Sequence, residues 1–452
     1  MGQVSVASRL NRLPVTRTHK MVTSIVGIGI FFDLFDIFLA GILGTTLTKQ
    51  FHLNAVMLPI VIGSGFIGMF FGALLLGRLG DKFGRRSAYL INLGLYSLFT
   101  FIGAFSFNAS MLIVSRFIAG LGIGAEPPLS DTYMSEMYPS HSRGRLLAWT
   151  YTISFLGIPA AGFLSMILVP MHPFGWDGWR WVFVIGSLGA AIVWILRSLL
   201  PESPRWLESV GRVEEAEAIT AKMETEAIEK YGNDSLSTPK AEEVPTYGKF
   251  PFRALFSKLY LKRTIMLWIF QVFQSVGYYG FGTIVPMVLV AKGYSVVHSL
   301  TYTALSFIGY PIGSALSLPI MERLDRKWLI TGSAFLMGVL GISLGYSSSG
   351  TAIVLFGFLY TLVSNIFSNG YHLLQAEIFP TYARSTATGT AYSLSRLSSG
   401  LLPFVLLPVL KSAGAGPMFG LVAFAMLIVI VDVGFFAPQT TGLALEIVNS
   451  EK

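Results

Sequence analysis

A pattern of charged residues occurs twice in this chain of 452 residues, with the second copy 241 residues after the first. The first copy starts with a Gly-Arg-Leu-Gly-Asp-Lys-Phe-Gly-Arg-Arg run that ends at Arg86, and a Glu-x-x-Pro-x-x-x-Arg run follows. One shift relates both runs to later ones: Asp81 to Glu322, Arg85 to Arg326, Glu136 to Glu377, and Arg143 to Arg384. A single offset for both runs indicates two similar halves in the same orientation.

Long apolar stretches separate these charged runs. Hydrophobic residues make up 53% of the chain and charged residues 12%, against roughly 25% charged in ordinary soluble domains. About 20 apolar residues suffice to cross a bilayer as a helix. Twelve such spans fit the sequence: 22–47, 56–77, 87–107, 111–138, 146–169, 180–200, 264–290, 298–321, 328–346, 352–378, 386–410 and 415–437. The sequence therefore predicts an all-α membrane protein with twelve transmembrane helices in two six-helix halves.

The predicted organisation has three parts. Residues 1–200 form the N-terminal half and residues 264–452 the C-terminal half. Residues 201–263 form a polar linker, in which the Arg212–Lys230 stretch has the apolar spacing of a short amphipathic helix. The remaining loops are short, which leaves no room for a soluble catalytic domain.

The distribution of Lys and Arg predicts the orientation. Of the 32 basic residues, 26 fall on the side that carries both termini, four on the other side, and Arg116 and Arg396 within spans. The positive-inside rule therefore predicts a multi-pass protein of the cell (inner) membrane with both termini cytoplasmic. The net charge of +8 is then a feature of membrane topology, and we expect no nucleic-acid partner.

These motifs resemble those of the major facilitator superfamily. The run that ends at Arg86 matches the superfamily motif between spans 2 and 3, and the run from Pro201 to Trp206 is similar to its sugar-porter-like branch. The Arg116-x-x-x-Gly-x-Gly-x-Gly-Ala-Glu-x-Pro run of span 4 resembles the organic-acid, niacin and synaptic-vesicle-2-like members. The resemblance implies the major facilitator fold and a proton-coupled transporter.

Spans 1 and 7 separate two substrate branches. Hexose carriers of this superfamily usually have a Gly-x-Asn in span 7, and this chain has Gly277-Tyr-Tyr-Gly without the asparagine. The Asp33-x-x-Asp36 pair in span 1 resembles that of proton symporters for small organic acids. The resemblance therefore favours an organic anion over a sugar.

Three carboxylates are candidate proton-coupling residues: Asp33, Asp36 and Glu126. A charge at mid-membrane costs about 2.5–3.5 kcal/mol on insertion scales, so each requires a partner or a watery cavity. Asp33 and Asp36 are three residues apart on one helical face, where they are poorly able to ionise together. The alternative is that one of them is a structural ion-pair partner. Glu126 precedes Pro127 and Pro128, where span 4 is expected to bend.

The candidate ligand-binding residue is Arg396, the only basic residue deep in the second half. Its planar guanidinium suits a carboxylate, so it could bind an anionic substrate or serve as the permanent counter-ion of a span 1 or span 4 carboxylate. Polar residues at similar depth complete the predicted substrate site: Gln274, Tyr278, Asn365 and His372. Each could instead be an ordinary interhelical hydrogen-bond partner.

The repeated motifs are expected to act as gates. Their charges lie at helix ends, where ion pairs can join neighbouring helices and the two halves and so favour one access state. The predicted gating residues are Asp81, Gly84, Arg85, Arg86, Glu136, Arg143, Glu322, Arg326, Glu377 and Arg384.

The sequence thus predicts a secondary active transporter that couples uptake of a small organic anion, a carboxylate metabolite or aromatic acid, to protons by alternating access. A proton-coupled sugar or polyol porter is the alternative, and a non-transporting sensor would use the same fold. An enzyme is disfavoured because the chain has no metal-binding His-Glu spacing and no nucleophile elbow. We expect a monomer whose partners are the solute, protons and lipid, with no cofactor or metal beyond the proton gradient.

Overall fold

The structure of the protein is a computed structural model. It describes residues 5–76, 79–232, 236, 252–258, 260–321, 323–379 and 381–440, with the backbone alone at 318, 376 and 381–385. Its described residues form helices and no strands.

Twelve helical spans cross the bundle. Those of the first half are Arg17–Ile42, Met57–Leu75, Arg85–Ala104, Ala109–Met137, Arg143–Phe155 with Gly157–Leu168, and Gly178–Arg197. Those of the second half are Leu261–Ala291, Val296–Phe307 with Gly309–Met321, Arg326–Tyr346, Gly350–Glu377, Thr381–Ala413 and Ala415–Phe436. We number them spans 1 to 12 in chain order, and the predicted all-α architecture of two six-helix halves is confirmed.

Spans 5 and 8 are each interrupted near their middle. Span 5 is broken at Leu156 and span 8 at Ile308. Within the described chain, eleven helices are long and apolar enough to cross a membrane by themselves. Span 8 is not among these eleven, because its two pieces have only 12 and 13 residues, and it is the twelfth span.

The end of the bundle where span 1 begins and span 6 ends is called the linker end, and the opposite one the far end. Helices Pro204–Ser209 and Val213–Tyr231 lie at the linker end. The longer one buries Ala216, Thr220, Met223 and Ala227. The N-terminal helix Val6–Asn11 is tied to it, since Arg9 and Arg12 each form an ion pair of 2.6 Å with Glu224. Most of the predicted linker beyond Gly232 lies outside the described residues.

Small residues allow the spans to approach closely. A Cβ atom at Gly68 or Gly72 of span 2 would lie 2.0 Å from a backbone oxygen of span 4. A Cβ at Gly120 or Gly124 of span 4 would lie within 2.2 Å of a backbone oxygen of span 2. Contacts this short exclude any side chain, so glycine sets the separation of these two helices.

The two halves meet most closely in the far half of the bundle. A Cβ at Gly41 of span 1 would lie 2.3 Å from the Thr283 oxygen of span 7, and one at Gly63 of span 2 would lie 2.3 Å from the Gly400 oxygen of span 11. Span 5 approaches span 8 at Gly162, again toward the far end. The backbones of the two halves are therefore in contact across the far half of the interface.

Candidate functional site

Asp36 of span 1 is paired with Arg116 of span 4. Arg116 Nη1 donates to Asp36 Oδ2 at 2.5 Å, and its Nη2 donates to the Asp36 backbone oxygen at 3.0 Å. Thr100 of span 3 donates to Asp36 Oδ1 at 3.3 Å. Both charged side chains are buried. This is a one-to-one ion pair that joins three helices of the first half.

Glu126 of span 4 is paired with Arg197, the last residue of span 6. The guanidinium lies 4.2 Å above the Tyr89 ring of span 3, a cation–π contact that stabilises a buried cation. On another side it packs against Gly29 of span 1, where a Cβ would lie 2.0 Å from Arg197 Nη2. Span 4 continues as helix through Pro127 and Pro128, so the prolines do not end it at Glu126.

Asp33 is the third buried carboxylate of the first half. It is 2% exposed, and neither of its carboxylate oxygens has a hydrogen-bond partner in the described part of the chain. Its strongest electrostatic neighbours are Glu126 and then Arg197, ahead of Asp36. Although Asp33 and Asp36 share one helical face, the structure therefore gives them different surroundings.

The sequence indicated neither of these arginine partners. The count of basic residues places Arg116 within a span and includes Arg197 among the 26 on the side that carries both termini. The structure buries both, with Arg197 only 1% exposed. A missed signal was present, since Arg116 lies within span 4 and every mid-membrane charge requires a partner.

Arg396 of span 11 lies between two aromatic rings. Its guanidinium carbon is 4.7 Å from the Tyr279 ring centre and 4.3 Å from that of Tyr392. The side chain is buried, and its Nε and Nη1 have no hydrogen-bond partner among the described residues. The structure thus places an arginine with unused donors in the second half, held by cation–π contacts rather than by a carboxylate.

A chain of amides runs through the second half towards His372. Gln274 donates to Gln271 at 2.8 Å, Gln271 to Gln375 at 2.9 Å, and Gln375 lies 3.1 Å from His372 Nδ1. The Oε1 atom of Gln274 is buried without a partner in the described chain. Two residues of the predicted substrate site, Gln274 and His372, therefore belong to one hydrogen-bonded chain.

Asn365 and Tyr278 contact each other instead of joining that amide chain. The Tyr278 hydroxyl donates to Asn365 Oδ1 at 3.4 Å, and Asn365 Nδ2 donates to the Tyr310 backbone oxygen at 2.6 Å. Asn365 is fully buried in this arrangement. The hydrogen bonds of its side-chain amide link spans 7, 8 and 10. This arrangement is compatible with both predicted roles, substrate binding and interhelical hydrogen bonding.

Aromatic and polar side chains meet across the interface between the halves near His372. The His372 ring stacks at 4.4 Å on Tyr371 and at 6.3 Å on Tyr151 of span 5, across the interface. Tyr151 donates a hydrogen bond of 2.5 Å to Asp131, which is exposed although it lies within span 4. An exposed carboxylate inside a transmembrane helix indicates a water-accessible opening. It lies nearer the linker end, opposite the closed far half.

The first charged motif is a network confined to one half. Arg85 donates to Asp81 at 2.6 Å and to Glu136 of span 4 at 2.8 and 3.1 Å. Glu202 of the linker accepts hydrogen bonds from the backbone amides of Arg85 and Arg86 at the start of span 3. Burial raises the pKa of the Glu202 carboxyl, and the backbone amides that donate to it oppose this rise.

Gly84 is required at the turn before span 3. Its φ angle is +97°, a conformation that favours glycine, and a Cβ there would lie 2.4 Å from Glu202 Oε2. Arg143, the remaining gating residue of this half, donates to the Tyr138 backbone oxygen at 3.4 Å.

The second motif is described in part. Arg326 Nη2 lies 3.6 Å from Glu377 Oε1, the counterpart of the contact between Arg85 and Glu136. Glu322 and the side chain of Arg384 lie outside the described residues. The ion pairs described for the two motifs join helices within one half, so their predicted action between the halves stays a prediction.

The fold and the buried charges together define a membrane transport protein. The family model described as "Sugar (and other) transporter" matches residues 19–451. The chain therefore belongs to this family of major facilitator transporters, and it is not an enzyme.

Relatives and a solved structure agree with this assignment. The chain is 32% identical to the putative metabolite transport protein YyaJ of Bacillus subtilis, over 87% of each chain. It is 30% identical to the niacin transporter NiaP of Acinetobacter baylyi, over 98% of this chain and 99% of that one. A partially occluded inward-open structure of the xylose transporter XylE from E. coli has a TM-score of 0.77 and 22% identity, over 94% of this chain and 99% of that one. At 22% identity, this similarity shows the fold alone.

Proposed function

We propose that this protein is a proton-coupled symporter of a small organic anion and that Arg396 binds the carboxylate of the substrate. The observation that carries the proposal is the pair of unused donors, Nε and Nη1, on a buried guanidinium. A buried cation without an anionic partner is costly. A carboxylate accepts strong charge-assisted hydrogen bonds from a guanidinium, so an anionic ligand would complete this site.

The first half supports this assignment by supplying its own counter-ions. Asp36 is paired with Arg116, and Glu126 is paired with Arg197. Arg396 is therefore not needed to neutralise either carboxylate. This favours the substrate role over the alternative in which Arg396 is a permanent structural counter-ion.

The surroundings of Arg396 favour an aromatic acid within this class. The rings of Tyr279 and Tyr392 lie against its guanidinium. The rings of Tyr371 and His372, which both interact electrostatically with Arg396, stack on each other. Aromatic side chains of this kind can also pack against a flat ligand. NiaP, at 30% identity, is named as a niacin transporter, and niacin is an aromatic carboxylic acid.

Alternating access gives the transport cycle. We place the linker end in the cytoplasm, because most Lys and Arg lie on that side. The closed far half and the opening at Asp131 then describe an inward-facing state of a protein of the cell (inner) membrane. Substrate and protons would enter from the far side after the halves tilt apart there, with Asp33, Asp36 and Glu126 as the candidate proton carriers.

The test compares an acid with its uncharged amide. Binding of nicotinate and nicotinamide should be measured by calorimetry on the purified full chain, in wild type and in Arg396→Gln. Loss of one charged hydrogen-bond partner should weaken nicotinate by about 1.5–3 kcal/mol and leave nicotinamide within a few fold. Arg396→Lys should recover part of the loss, because an ammonium cannot form the two-pronged contact.

Arg180→Gln serves as a matched control. It also removes one arginine, but at the start of span 6 in the far half, where Arg180 donates to the Ala104 backbone oxygen. It should leave nicotinate binding unchanged. Equal loss of acid and amide in Arg396→Gln would make Arg396 a structural residue. A wild type that binds the amide better would contradict the organic-anion assignment.

A sugar or polyol remains the second candidate because of the amide chain. Gln274 has an unused buried acceptor, and its neighbours offer the amide groups that hydroxyl-rich solutes use. Uptake of carboxylates and hexoses into proteoliposomes, recorded with internal pH, separates the two candidates. Uptake of a carboxylate with internal acidification supports our proposal. Binding without uptake would instead indicate a sensor.

A further inference from the structure

Two carboxylates and one arginine lie together in the first half, away from the one-to-one pair of Asp36 and Arg116. We infer that Asp33, Glu126 and Arg197 form a single proton-binding site, in which the two carboxylates share one guanidinium and hold one proton between them. This inference deepens the proposed function, because it rests on proton coupling and assigns it to a specific site. Arg197 becomes a positioning residue that decides which carboxylate is ionised.

The argument begins with the charge balance. Asp33, Glu126 and Arg197 are all nearly inaccessible to solvent, and together they would carry a net charge of −1 if both carboxylates were ionised. A buried charge without a partner is strongly disfavoured, and two neighbouring carboxylates in a low dielectric rarely ionise together. One bound proton brings the cluster to neutrality. Asp36 and Arg116 are neutral as a pair and therefore need no bound proton.

The ion contact with Arg197 indicates where the proton resides in this state. Glu126 holds the contact with Arg197, whereas both oxygens of Asp33 lack a partner in the described chain. A carboxylate that accepts no hydrogen bond and has no ion contact is the less stabilised anion. Asp33 therefore carries the proton in this inward-facing arrangement.

The titratable groups that interact electrostatically with Asp33 define the site. They are Asp36 on its own helix, Tyr96 of span 3, Glu126 of span 4, Arg197 of span 6 and Tyr392 of span 11. Among them Arg197 is the cation that acts most strongly on Asp33. Beyond its burial, the ionisation of Asp33 therefore depends on Glu126 and on how Arg197 is shared with it.

The position of Arg197 allows it to change partners. Its ion contact with Glu126 uses Nη1, and none of its three guanidinium nitrogens makes a hydrogen bond in the described structure. The guanidinium is seated at Gly29, which lies four residues before Asp33 and so on the same face of span 1. A small rotation of the guanidinium towards Asp33 would release Glu126, which would then take the proton. Each transfer keeps the cluster neutral.

Tyr392 connects this site to the other half. Its ring packs on Arg396, and its hydroxyl is within the electrostatic range of Asp33. Span 11 moves with the second half, so a change of access state alters what faces Asp33 from that side. Ligand binding at Arg396 and proton binding at Asp33 are thereby linked through one side chain.

The test counts buried carboxylic acids without requiring a ligand. Difference infrared spectroscopy on the purified full chain, recorded as pH is raised, resolves the C=O stretch of a buried carboxylic acid from ionised carboxylates. Wild type should show a component from the cluster that is lost in Asp33→Asn. Arg197→Gln should show two such components, because both carboxylates must take protons once their cation is absent.

Controls keep the result specific. Asp432 of span 12 is a buried carboxylate outside the cluster, and Asp432→Asn should leave the cluster component intact. If Arg197→Gln fails to fold, the milder Gly29→Ala, whose Cβ displaces the guanidinium, should alter the same component. An unchanged spectrum in Asp33→Asn, or a single component in folded Arg197→Gln, would overturn the inference. Failure of nicotinate to bind, with these spectra as expected, would overturn only the proposed substrate.

Discussion

The two halves share a charged motif at the linker end but bury different sets of charged side chains in the interior. The first half buries three carboxylates, Asp33, Asp36 and Glu126, with two arginines as their partners. The second half buries Arg396 at the interface with the first half, between the rings of two tyrosines. It also contains the chain of hydrogen-bonded amides that begins at Gln274. The two halves thus share one arrangement of helices but differ in their buried polar side chains.

This difference suggests a division of labour. Carboxylates that compete for arginines suit proton binding, whereas an unpaired guanidinium beside amides and aromatic rings suits recognition of a solute. Because span 1 contacts span 7 and span 2 contacts span 11, a rearrangement in one half changes the contacts of the other. The following predictions test this comparison.

The largest expected effect is on stability. Arg116→Gln leaves Asp36 buried without its partner and should destabilise the protein by about 3–5 kcal/mol. Arg396→Gln should cost clearly less, because it leaves no carboxylate unpaired. Thermal unfolding in one detergent measures both, and the double variant Asp36→Asn/Arg116→Gln should recover much of the loss. Equal destabilisation by the two single variants would contradict the inference that Arg116 is paired with a carboxylate and Arg396 is not.

An intermediate effect is expected at the contact between the halves. Gly63→Val places a side chain against the Gly400 oxygen, and overpacking of this kind typically costs about 1–3 kcal/mol. The far end should then open, shifting the protein to the outward-facing state. Because the chain has no cysteine, single introduced cysteines report accessibility from each side.

The control is Gly420→Val in span 12, where an added Cβ has open space. It should leave the labelling pattern as in wild type. If Gly63→Val also labels as wild type does, the contact at the far half does not hold the inward-facing state.

The smallest effect is expected in the motif at the linker end. Asp81 is 76% exposed and Glu136 17% exposed, although both pair with Arg85. Exposed pairs contribute about 0.2–1 kcal/mol, so Asp81→Asn should slow turnover by a few fold with little change in ligand affinity. Glu136→Gln should slow it more. Loss of affinity with unchanged accessibility would place the motif in the binding site instead.

The sequence predicted the architecture of this protein well. Apolar length, the 241-residue repeat and the charged motifs were enough to place two six-helix halves and the transporter family. These are properties of segments, and each segment carries its own signal. The predicted start of span 7 at residue 264 differs from Leu261 by three residues, since charged residues can extend a helix beyond the membrane.

The pairing of buried charges was decided by the tertiary structure. Asp33 and Asp36 were predicted as a pair because they share a helical face, but each has its own neighbours, and Arg197 reaches Glu126 from the end of span 6. The sequence determines the depth of a charge along its helix. Which charges meet depends on the rotation and tilt of neighbouring helices, which are set by packing contacts such as those at Gly29, Gly68 and Gly120.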